Sequence, residues 1–348
     1  MHRRDLMILF AGSALRTRAA ETGMTFPLDF GAHPGSRTEW WYITGALQSG
    51  PRLWGFQITF FRSATPLPPD TASRFAATEL VFAHAAVTDL EQRRLRHDQR
   101  IARSGFGIAQ AEAGDTRVVL RDWRLRREAG SYRAVADSEA AGFAFELALA
   151  PTQPVLLQGE AGVSRKGPEP EHASHYYSEP QLAVQGTLSL DGRSAAVTGR
   201  AWLDHEWSGA YLPPQAVGWD WIGMNLDDGS ALMAFRMRRS DGSTLHAGGS
   251  LRRPGQPPRN FEPAEVVFTP GRLWDSPASK ARYPVRWTLE TPAGRHTVSA
   301  LLDAQELDSR GSTGAIYWEG LSELLDDAGQ RVGRGYLEMT GYAAALRM

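Results

Sequence analysis

Apolar and polar residues alternate along short segments of this chain, which is the pattern expected of β-strands. In residues 38–45, Trp40 and Tyr42 fall on one face of an extended segment, and Trp41 and Ile43 fall on the other. Short apolar runs bounded by Gly, Pro, Asp or Ser predict further strands at residues 58–61, 80–83, 118–120 and 143–149. Helical segments are predicted only at residues 75–80 and 277–282. The pattern therefore predicts an all-β protein built of barrels or sandwiches.

One segment of the pattern occurs twice. Residues 39–57 (EWWYITGALQSGPRLWGFQ) align without a gap to residues 218–236 (GWDWIGMNLDDGSALMAFR), and six of the nineteen positions are identical. Each copy predicts a strand, a turn at Gly50 or Gly229 and a returning strand. A chance likeness between aromatic hairpins is the alternative, but the aligned turn glycines favour an internal duplication.

The duplication predicts two tandem β-domains, over residues 23–190 and 191–348. The connection between them is expected near residues 185–200, and residues 165–171 (RKGPEPE) are expected to form a surface loop of the first domain. Within the repeat, Trp41 of the first copy is replaced by Asp220 in the second. This exchange of an indole for a carboxylate makes Asp220 the first candidate for chemistry.

Composition narrows the class of protein. The 348 residues are enough for two domains, and 42% hydrophobic content indicates a globular chain. Lys and Arg number 38 against 39 Asp and Glu, so the sequence offers no basic excess for nucleic acid. The absence of Cys excludes disulfides and thiolate chemistry. No apolar stretch approaches the length of about 18 residues that a membrane-spanning helix needs.

The N-terminus has the pattern of an export signal. Arg3 and Arg4 precede an apolar run over residues 6–15, and small residues follow it. Residues 1–22 are therefore predicted to be a signal resembling the twin-arginine type, with a periplasmic or secreted location. The alternative is an N-terminal tail or short helix on a cytoplasmic protein.

Asp220 lies on a face of its predicted strand that is otherwise apolar. Ile222 and Met224 share this face, which is therefore expected to point into the interior. Loss of water penalises a charged carboxylate, so Asp220 could remain protonated and donate a proton. The alternative is a structural carboxylate that accepts hydrogen bonds from an indole, a tyrosine or His205.

Other residues are candidates for the same functional site as Asp220. His205 and Trp207 share one face of residues 201–207, and a short connection places their strand near that of Asp220. Tyr176 and Tyr177 precede a strand and could line a cavity, although ordinary barrel packing is the alternative. The motifs HExxH, GxSxG and GxGxxG are all missing, so the sequence predicts no metal and no cofactor.

Taken together, the motifs resemble the carotenoid 1,2-hydratase and AttH-like family, whose members are described as lipocalin-like or as secreted hydrolases. The resemblance covers most of the chain and rests on TEWWYITG (38–45), FAHAAV (82–87), HYYSEPQL (175–182), GRAWLDHEW (199–207), GWDWIGMNLDDG (218–229) and GYLEMTGY (335–342). It implies two lipocalin-like barrels and hydration of an isolated double bond without an organic cofactor. The family's His-x-Trp pair matches His205 and Trp207, and its downstream Asp matches Asp220.

The leading hypothesis is a protein that binds a hydrophobic polyene, isoprenoid or lipid-like molecule and hydrates it. Asp220 would deliver the proton, His205 would orient or deprotonate water, and Trp207, Trp219 and Trp221 would stabilise the carbocation. A non-catalytic lipid carrier and a secreted hydrolase are the alternatives.

The remaining predicted ligand contacts are Trp41, Tyr176 and Tyr177. The expected partner is a hydrophobic small molecule, with contact to a membrane surface as a further expectation and no nucleic acid.

Overall fold

The computed structural model describes residues 23–68, 70–209 and 212–346. The predicted export signal at residues 1–22 lies outside them. The first sheet contains β1 (Thr38–Ser49), β2 (Arg52–Ala64), β3 (Glu79–Asp89), β4 (Arg94–Arg103), β5 (Ala109–Ala111), β6 (Arg117–Leu120), β7 (Trp123–Glu128), β8 (Ser131–Ser138), β9 (Phe143–Ala150), β10 (Leu156–Leu157), β11 (Val163–Arg165), β12 (Ala173–Leu190) and β13 (Arg193–Ser208).

The second sheet contains β14 (Gly218–Leu226), β15 (Ala231–Arg238), β16 (Thr244–Arg252), β17 (Arg259–Phe261), β18 (Val267–Pro270), β21 (Arg286–Thr291), β22 (Gly294–Ala300), β23 (Glu306–Ser309), β24 (Ala315–Leu325) and β25 (Arg331–Met339). A separate hairpin consists of β19 (Leu273–Asp275) and β20 (Arg282–Pro284). Two single turns of 3₁₀-helix, Leu28–Phe30 and Pro263–Glu265, complete the described elements.

Strand pairing is antiparallel in both large sheets. The order of the first is β4-β3-β2-β1-β13-β12-β9-β8-β7-β6-β5, with β10 and β11 beside β12. The order of the second is β17-β16-β15-β14-β25-β24-β22-β21-β18, with β23 beside β24. Each sheet curves around its own apolar core, which confirms the predicted lipocalin-like, all-β class.

Alternation along the repeat decides which side chains enter those cores. Trp41 and Ile43 of β1 are fully buried inside the first barrel, and Ile222 and Met224 of β14 are fully buried inside the second. The neighbouring residues point the other way, because successive side chains of a strand alternate between faces. They form a third apolar cluster between the barrels, which includes Tyr42, Trp202, Trp221, Phe235 and Tyr336.

Both copies of the repeat form hairpins, as predicted. β1 pairs with β2 and β14 pairs with β15. The turn glycines have φ of +57° at Gly50 and +86° at Gly229, a region that glycine adopts without strain.

Two predictions about the fold were wrong. The segments expected to be helical form turns and strands instead: residues 79 and 80 begin β3, and residues 277–281 connect β19 to β20. Tertiary strand pairing outweighed weak local periodicity there. The predicted domain boundary after residue 190 falls in the turn between β12 and β13, which pair along their length. The change of sheet occurs one strand later, between Ser208 and Gly218.

The connection expected near residues 185–200 is therefore part of a long hairpin inside the first sheet. Polar contacts tie the two barrels together on either side of the third apolar cluster. The Asn225 Oδ1 accepts the Gln181 N–H at 2.7 Å, and the Gln305 Oε1 accepts the Thr88 hydroxyl at 2.8 Å. Among the described residues, no helix is long and apolar enough to cross a membrane.

Candidate functional site

A cavity of about 130 Å³ lies between the two barrels. Residues of both sheets line it, together with residues of two loops. The lining consists of Thr38, Trp40, Tyr42, Thr59, Phe61, Lys166, Ala173, Ser174, Tyr176, Asp204, Glu206, Ser208, Leu212, Trp219, Trp221, Phe235, Met237, Tyr317, Glu319 and Glu338. Aromatic rings and acidic side chains dominate this set.

The repeat supplies the aromatic walls symmetrically. Trp40 and its duplicate Trp219 both line the cavity, and so do Tyr42 and its duplicate Trp221. The rings of Tyr42 and Trp221 meet edge to face, with centroids 5.4 Å apart. The two hairpins therefore face each other across the cavity, each presenting the residues that alternate with its own core positions.

Two carboxyl groups occupy equivalent places beside these rings. Asp204 lies opposite Tyr42 in the pairing of β13 with β1, and Glu338 lies opposite Trp221 in the pairing of β25 with β14. Because Tyr42 and Trp221 are themselves equivalent in the repeat, both barrels place an acid at the same position of the cavity wall. The duplication thus extends from the aromatic rings to the acids.

Asp204 is held by three hydrogen-bond donors. Its Oδ1 accepts from the Ser178 hydroxyl at 2.6 Å and from the Trp202 indole at 2.6 Å, and its Oδ2 accepts from the Tyr176 hydroxyl at 2.7 Å. Burial raises the pKa of Asp204 to about 7, although these donors oppose the increase. Asp204 is therefore an oriented acceptor that titrates near neutrality.

Glu319 and Glu338 form a pair of acids on neighbouring strands. They lie opposite each other in the pairing of β24 with β25. Burial raises the pKa of Glu338 to about 8, and burial together with the charge of Glu338 raises the pKa of Glu319 well above its usual range. Two carboxylates in such a site cannot both ionise at low cost, so at neutral pH the pair holds a proton.

Unpaired polar atoms point to an occupant of this cavity. The Tyr42 hydroxyl and the Oε1 of Glu319 are buried, and neither makes a hydrogen bond of normal geometry to the described residues. Buried polar groups are normally satisfied by protein, water or ligand. The Tyr42 hydroxyl and the Glu319 carboxyl are also close enough to interact with each other, so one polar atom of a bound molecule or of a water could contact both.

The cation at the cavity comes from the predicted surface loop. The Lys166 ammonium lies 3.1 Å from the Oε1 of Glu206 and over the rings of Tyr176 and Phe235, at 4.6 and 4.5 Å from their centroids. The Ser174 hydroxyl donates to the same Glu206 oxygen at 2.5 Å. Glu206 is therefore paired, whereas no ion pair within the described part of the chain joins the other three acids of the cavity to a cation.

Asp220 does not have the environment that the sequence predicted. Its side chain is fully buried inside the second barrel, but Arg236 Nε donates to its Oδ2 at 2.7 Å and Arg238 Nη1 donates to its Oδ1 at 3.1 Å. The Tyr342 hydroxyl adds a third donor at 2.9 Å. The sequence predicted an apolar surrounding for this carboxyl group, and the structure corrects that prediction: two guanidinium groups contact it, as in a structural ion pair.

His205 lies inside the first barrel, on the face of β13 opposite to Asp204. Its Nδ1 is 3.0 Å from the Tyr177 hydroxyl, and its Nε2 is 2.8 Å from the Oε1 of Glu39. The expected proximity of His205 and Asp220 was wrong, because β13 and β14 belong to different sheets and the two side chains enter different barrels. The intervening cavity is lined by their sequence neighbours instead.

A buried charge network surrounds His205. The Oε1 of Glu39 also lies 2.7 Å from the Nδ1 of His33, and its Oε2 accepts from the Arg62 Nε at 2.9 Å. Although burial opposes the change, hydrogen bonds from His205 and His33 hold the pKa of Glu39 well below its usual range.

The ligand atoms of His33, Glu39 and His205 lie within 4.8 Å of one another, which is close enough for one metal ion. The Arg62 cation already neutralises their carboxylate, and this favours a hydrogen-bonded network over a metal site.

The predicted ligand contacts divide into two groups. Tyr176, Trp219 and Trp221 line the cavity. Trp41, Tyr177 and Trp207 belong to the core of the first barrel, where Trp41 stacks on His205 and Trp207 stacks on His33. The division follows strand alternation, so the second group packs the scaffold beneath the cavity wall.

A serine and a histidine also lie in contact, but the hydrogen bond between them does not run in the direction that a nucleophile and its base require. The Ser312 hydroxyl lies 2.8 Å from the Nε2 of His84. Gln99 Nε2 donates to the Asp308 carbonyl, which orients the Gln99 Oε1 to accept the Ser312 proton at 2.7 Å. His84 must then donate to Ser312, whereas activation of a nucleophile requires the reverse.

Sequence reasoning passed over the acids of the cavity: Asp204, Glu206, Glu319 and Glu338. Three of them lie inside the motifs named above, since Asp204 and Glu206 belong to GRAWLDHEW and Glu338 belongs to GYLEMTGY. The repeat does indicate which residues face the cavity, because the residues that alternate with core positions in both copies line it. The acids could be found only by knowing that β13 pairs with β1 and that β25 pairs with β14, and the sequence does not specify these pairings.

The acids of the cavity should make stability depend on pH. Carboxyl groups have a pKa near 4 in the unfolded chain, and folding raises those of Asp204 and Glu338 to about 7 and about 8. Their contribution is complete below about pH 4 and is lost as the pH rises to about 8. We expect unfolding experiments across this range to show a smaller pH dependence in Glu338→Gln than in wild type. Superimposable pH profiles would contradict the raised pKa.

The fold and this cavity define a class of protein: two lipocalin-like β-barrels that enclose an aromatic, acid-lined cavity between them. The AttH-like family model matches residues 17–342. The chain belongs to the AttH-like family. None of the curated proteins matches the chain in sequence.

Solved structures support the assignment. A crystal structure of a protein from Nitrosomonas europaea assigned as AttH is 48% identical, with a TM-score of 0.86, and covers 92% of this chain and 98% of its own. Kievitone hydratase from Nectria haematococca is 16% identical, with a TM-score of 0.68, over 88% of this chain and 89% of its own. CghA bound to Sch210972 is 13% identical, with a TM-score of 0.52, over 88% of each chain. The last two similarities concern the fold.

Proposed function

We propose that this protein binds an unsaturated hydrophobic molecule in the cavity between its barrels and catalyses acid-assisted hydration of a C=C bond, without a cofactor. The observation that carries the proposal is the set of acids with raised pKa among aromatic rings, above all Glu338 and its neighbour Glu319. A carboxylic acid kept neutral by burial is a proton donor at physiological pH.

The proposed reaction assigns the proton to the Glu319–Glu338 pair. Glu338 transfers its proton to one alkene carbon, and the electron pair of the double bond forms the new C–H bond. Water then adds to the other carbon and releases a proton, which returns to the pair. The acid is regenerated, and the overall change is the addition of one water molecule.

The aromatic walls suit the intermediate of that reaction. The carbocation would lie among the rings of Trp40, Trp219 and Trp221, whose faces attract positive charge by about 2 kcal/mol or more each when water is excluded. Asp204 accepts the Tyr176 hydroxyl proton, and this hydrogen bond fixes the Tyr176 ring in the cavity wall. The hydratase activity in the name of one fold relative is consistent with this chemistry.

A non-catalytic lipid carrier would use the same cavity. The paired acids favour catalysis, because a carrier of apolar ligands gains nothing from three carboxyl groups in its cavity wall that, among the described residues, have no cation beside them. Hydrolysis is disfavoured by the polarity of the Ser312–His84 contact.

The experiment is incubation with acyclic isoprenoid alkenes in water enriched in heavy oxygen, followed by mass spectrometry. Hydration predicts a product alcohol that carries the heavy oxygen. Recovery of bound but unchanged alkene would support the carrier, and turnover of esters alone would support a hydrolase. Either outcome would remove the hydration proposal.

A further inference from the structure

The cavity is small for a long hydrophobic molecule. Its volume of about 130 Å³ resembles that of an engineered apolar cavity of about 150 Å³ that holds one benzene ring. A five-carbon unit fits such a space, whereas a longer chain must leave it. A longer ligand would therefore bind only if the cavity wall continues into a surface that can hold the rest of its chain.

An apolar row leads out of the cavity across the first sheet. Phe61 of β2 lines the cavity, and the ring of Phe82 on β3 stacks on it with centroids 4.7 Å apart. Phe82 lies opposite Phe61 in the pairing of β3 with β2, and opposite Ile101 in the pairing of β3 with β4. These three residues lie on the outer face of the barrel, because the alternate residues Val81 and Ala83 enter its core.

The second barrel covers only part of this outer face. Ala86 packs against Leu307 and Tyr317, and the Nδ1 of His84 lies 2.8 Å from the Tyr317 hydroxyl. One row further along the strands, Phe82 is only half-buried and Ile101 is 39% exposed. Among the described residues, the cover by the second barrel therefore ends at His84, and the next row is partly exposed from the cavity wall to the edge strand.

The far side of the row is also apolar. Leu80, two residues before Phe82 on the same face, is half-buried. Beyond it, Arg103 lies opposite Leu80 and stacks over the rings of Phe75 and Phe106, at 5.5 and 4.1 Å from their centroids. We call Phe61, Leu80, Phe82 and Ile101 the apolar strip.

We propose that the apolar strip binds the hydrocarbon chain of the ligand whose reactive end occupies the cavity. The substrate class would then be alkenes that carry a hydrocarbon chain beyond the reactive end, and Phe82 and Ile101 would select for chain length. The inference rests on the proposed use of the cavity, and the argument for the occupant is the continuity of the strip with the cavity wall through Phe61.

The size of the effect follows from apolar burial. Each methylene that leaves water tightens binding by about fourfold. Burial of three to four methylenes on the strip would therefore tighten binding by about 100-fold over a ligand confined to the cavity.

The test uses the isoprenoid alcohols prenol, geraniol and farnesol, which have five, ten and fifteen carbons. Binding to the full chain is measured by titration calorimetry for wild type, Ile101→Asp and Phe82→Thr. The matched control is Val267→Asp, because Val267 is an aliphatic strand residue of similar exposure (45%) on the other barrel.

We expect farnesol to bind wild type about 100-fold more tightly than prenol. Ile101→Asp should reduce this ratio at least tenfold while leaving the affinity for prenol within about twofold. Phe82→Thr should weaken farnesol binding more than prenol binding, and Val267→Asp should change neither affinity. An unchanged farnesol-to-prenol ratio in Ile101→Asp would overturn the strip. The proposal would also be overturned if Ile101→Asp broke a dimer in solution, because a second copy of the chain would then cover the apolar strip.

A wrong assignment of the cavity gives a different result. Trp221→Ala, a substitution in the cavity wall, would then leave the affinity for prenol unchanged, whatever the strip variants do. Ile101 is exposed, so its substitution preserves the fold and keeps the test valid even if Phe82→Thr is unstable.

Discussion

Glu338→Gln should lower the rate of alkene hydration by about 10²–10⁴-fold, the usual contribution of a positioned acid. The amide keeps the shape of the side chain but has no acidic proton to transfer. Because the acid of the wild type is already neutral below about pH 8, the substitution should change ligand affinity little. The substitution should therefore lower the rate constant of hydration and leave the dissociation constant of the ligand nearly unchanged.

The pH profile gives a second measurement of the same group. The wild-type rate should fall as the pH rises through about 8, since Glu338 must be protonated to act. A matched control is Glu323→Gln on the neighbouring strand, where Glu323 accepts from Arg334 at 3.2 Å near the surface. If Glu338→Gln retains activity within a few-fold and Glu319→Gln does the same, the proton comes from elsewhere.

The second large effect concerns stability. Asp220→Asn should lower the free energy of unfolding by about 3–5 kcal/mol, because it leaves Arg236 and Arg238 buried with their charge uncompensated. Urea unfolding monitored by tryptophan fluorescence measures the change. The control is Asp275→Asn, which removes an exposed pair with Arg282 and should cost at most about 1 kcal/mol.

Asp220→Asn also distinguishes a structural from a catalytic carboxylate. Below its unfolding transition, the variant should bind ligand and hydrate alkene at rates within a few-fold of wild type. A variant that is as stable as wild type but inactive would show that Asp220 is the acid after all.

Much of the scaffold could be predicted from the sequence. The alternation in residues 38–45 and the turn glycines of the repeat predicted two β-hairpins, and both form with their glycines at positive φ. Local patterns suffice there, because side-chain period and turn chemistry act over a few residues. The cavity-lining Tyr176, Trp219 and Trp221 were also among the predicted ligand contacts.

The candidate acids could not be found in the same way. Asp220 stood out because it interrupts an apolar face, but its partners Arg236 and Arg238 lie on the next strand of the sheet. Glu338 attracted no notice, because its neighbours Trp221 and Glu319 are distant in the sequence and meet it only through strand pairing.

The β-class, the duplication and the alternation that gives each hairpin a core face and an outer face can all be read from local patterns in the chain. Which outer faces meet, and hence which acids share a cavity and which carboxylate has cations beside it, follows from the fold. Burial and charge pairing depend on contacts between strands far apart in the chain, whereas periodicity depends on neighbouring residues. The duplicated hairpin therefore marks the cavity through Trp40, Tyr42, Trp219 and Trp221, whereas the acids beside these rings lie on other strands, β13, β24 and β25.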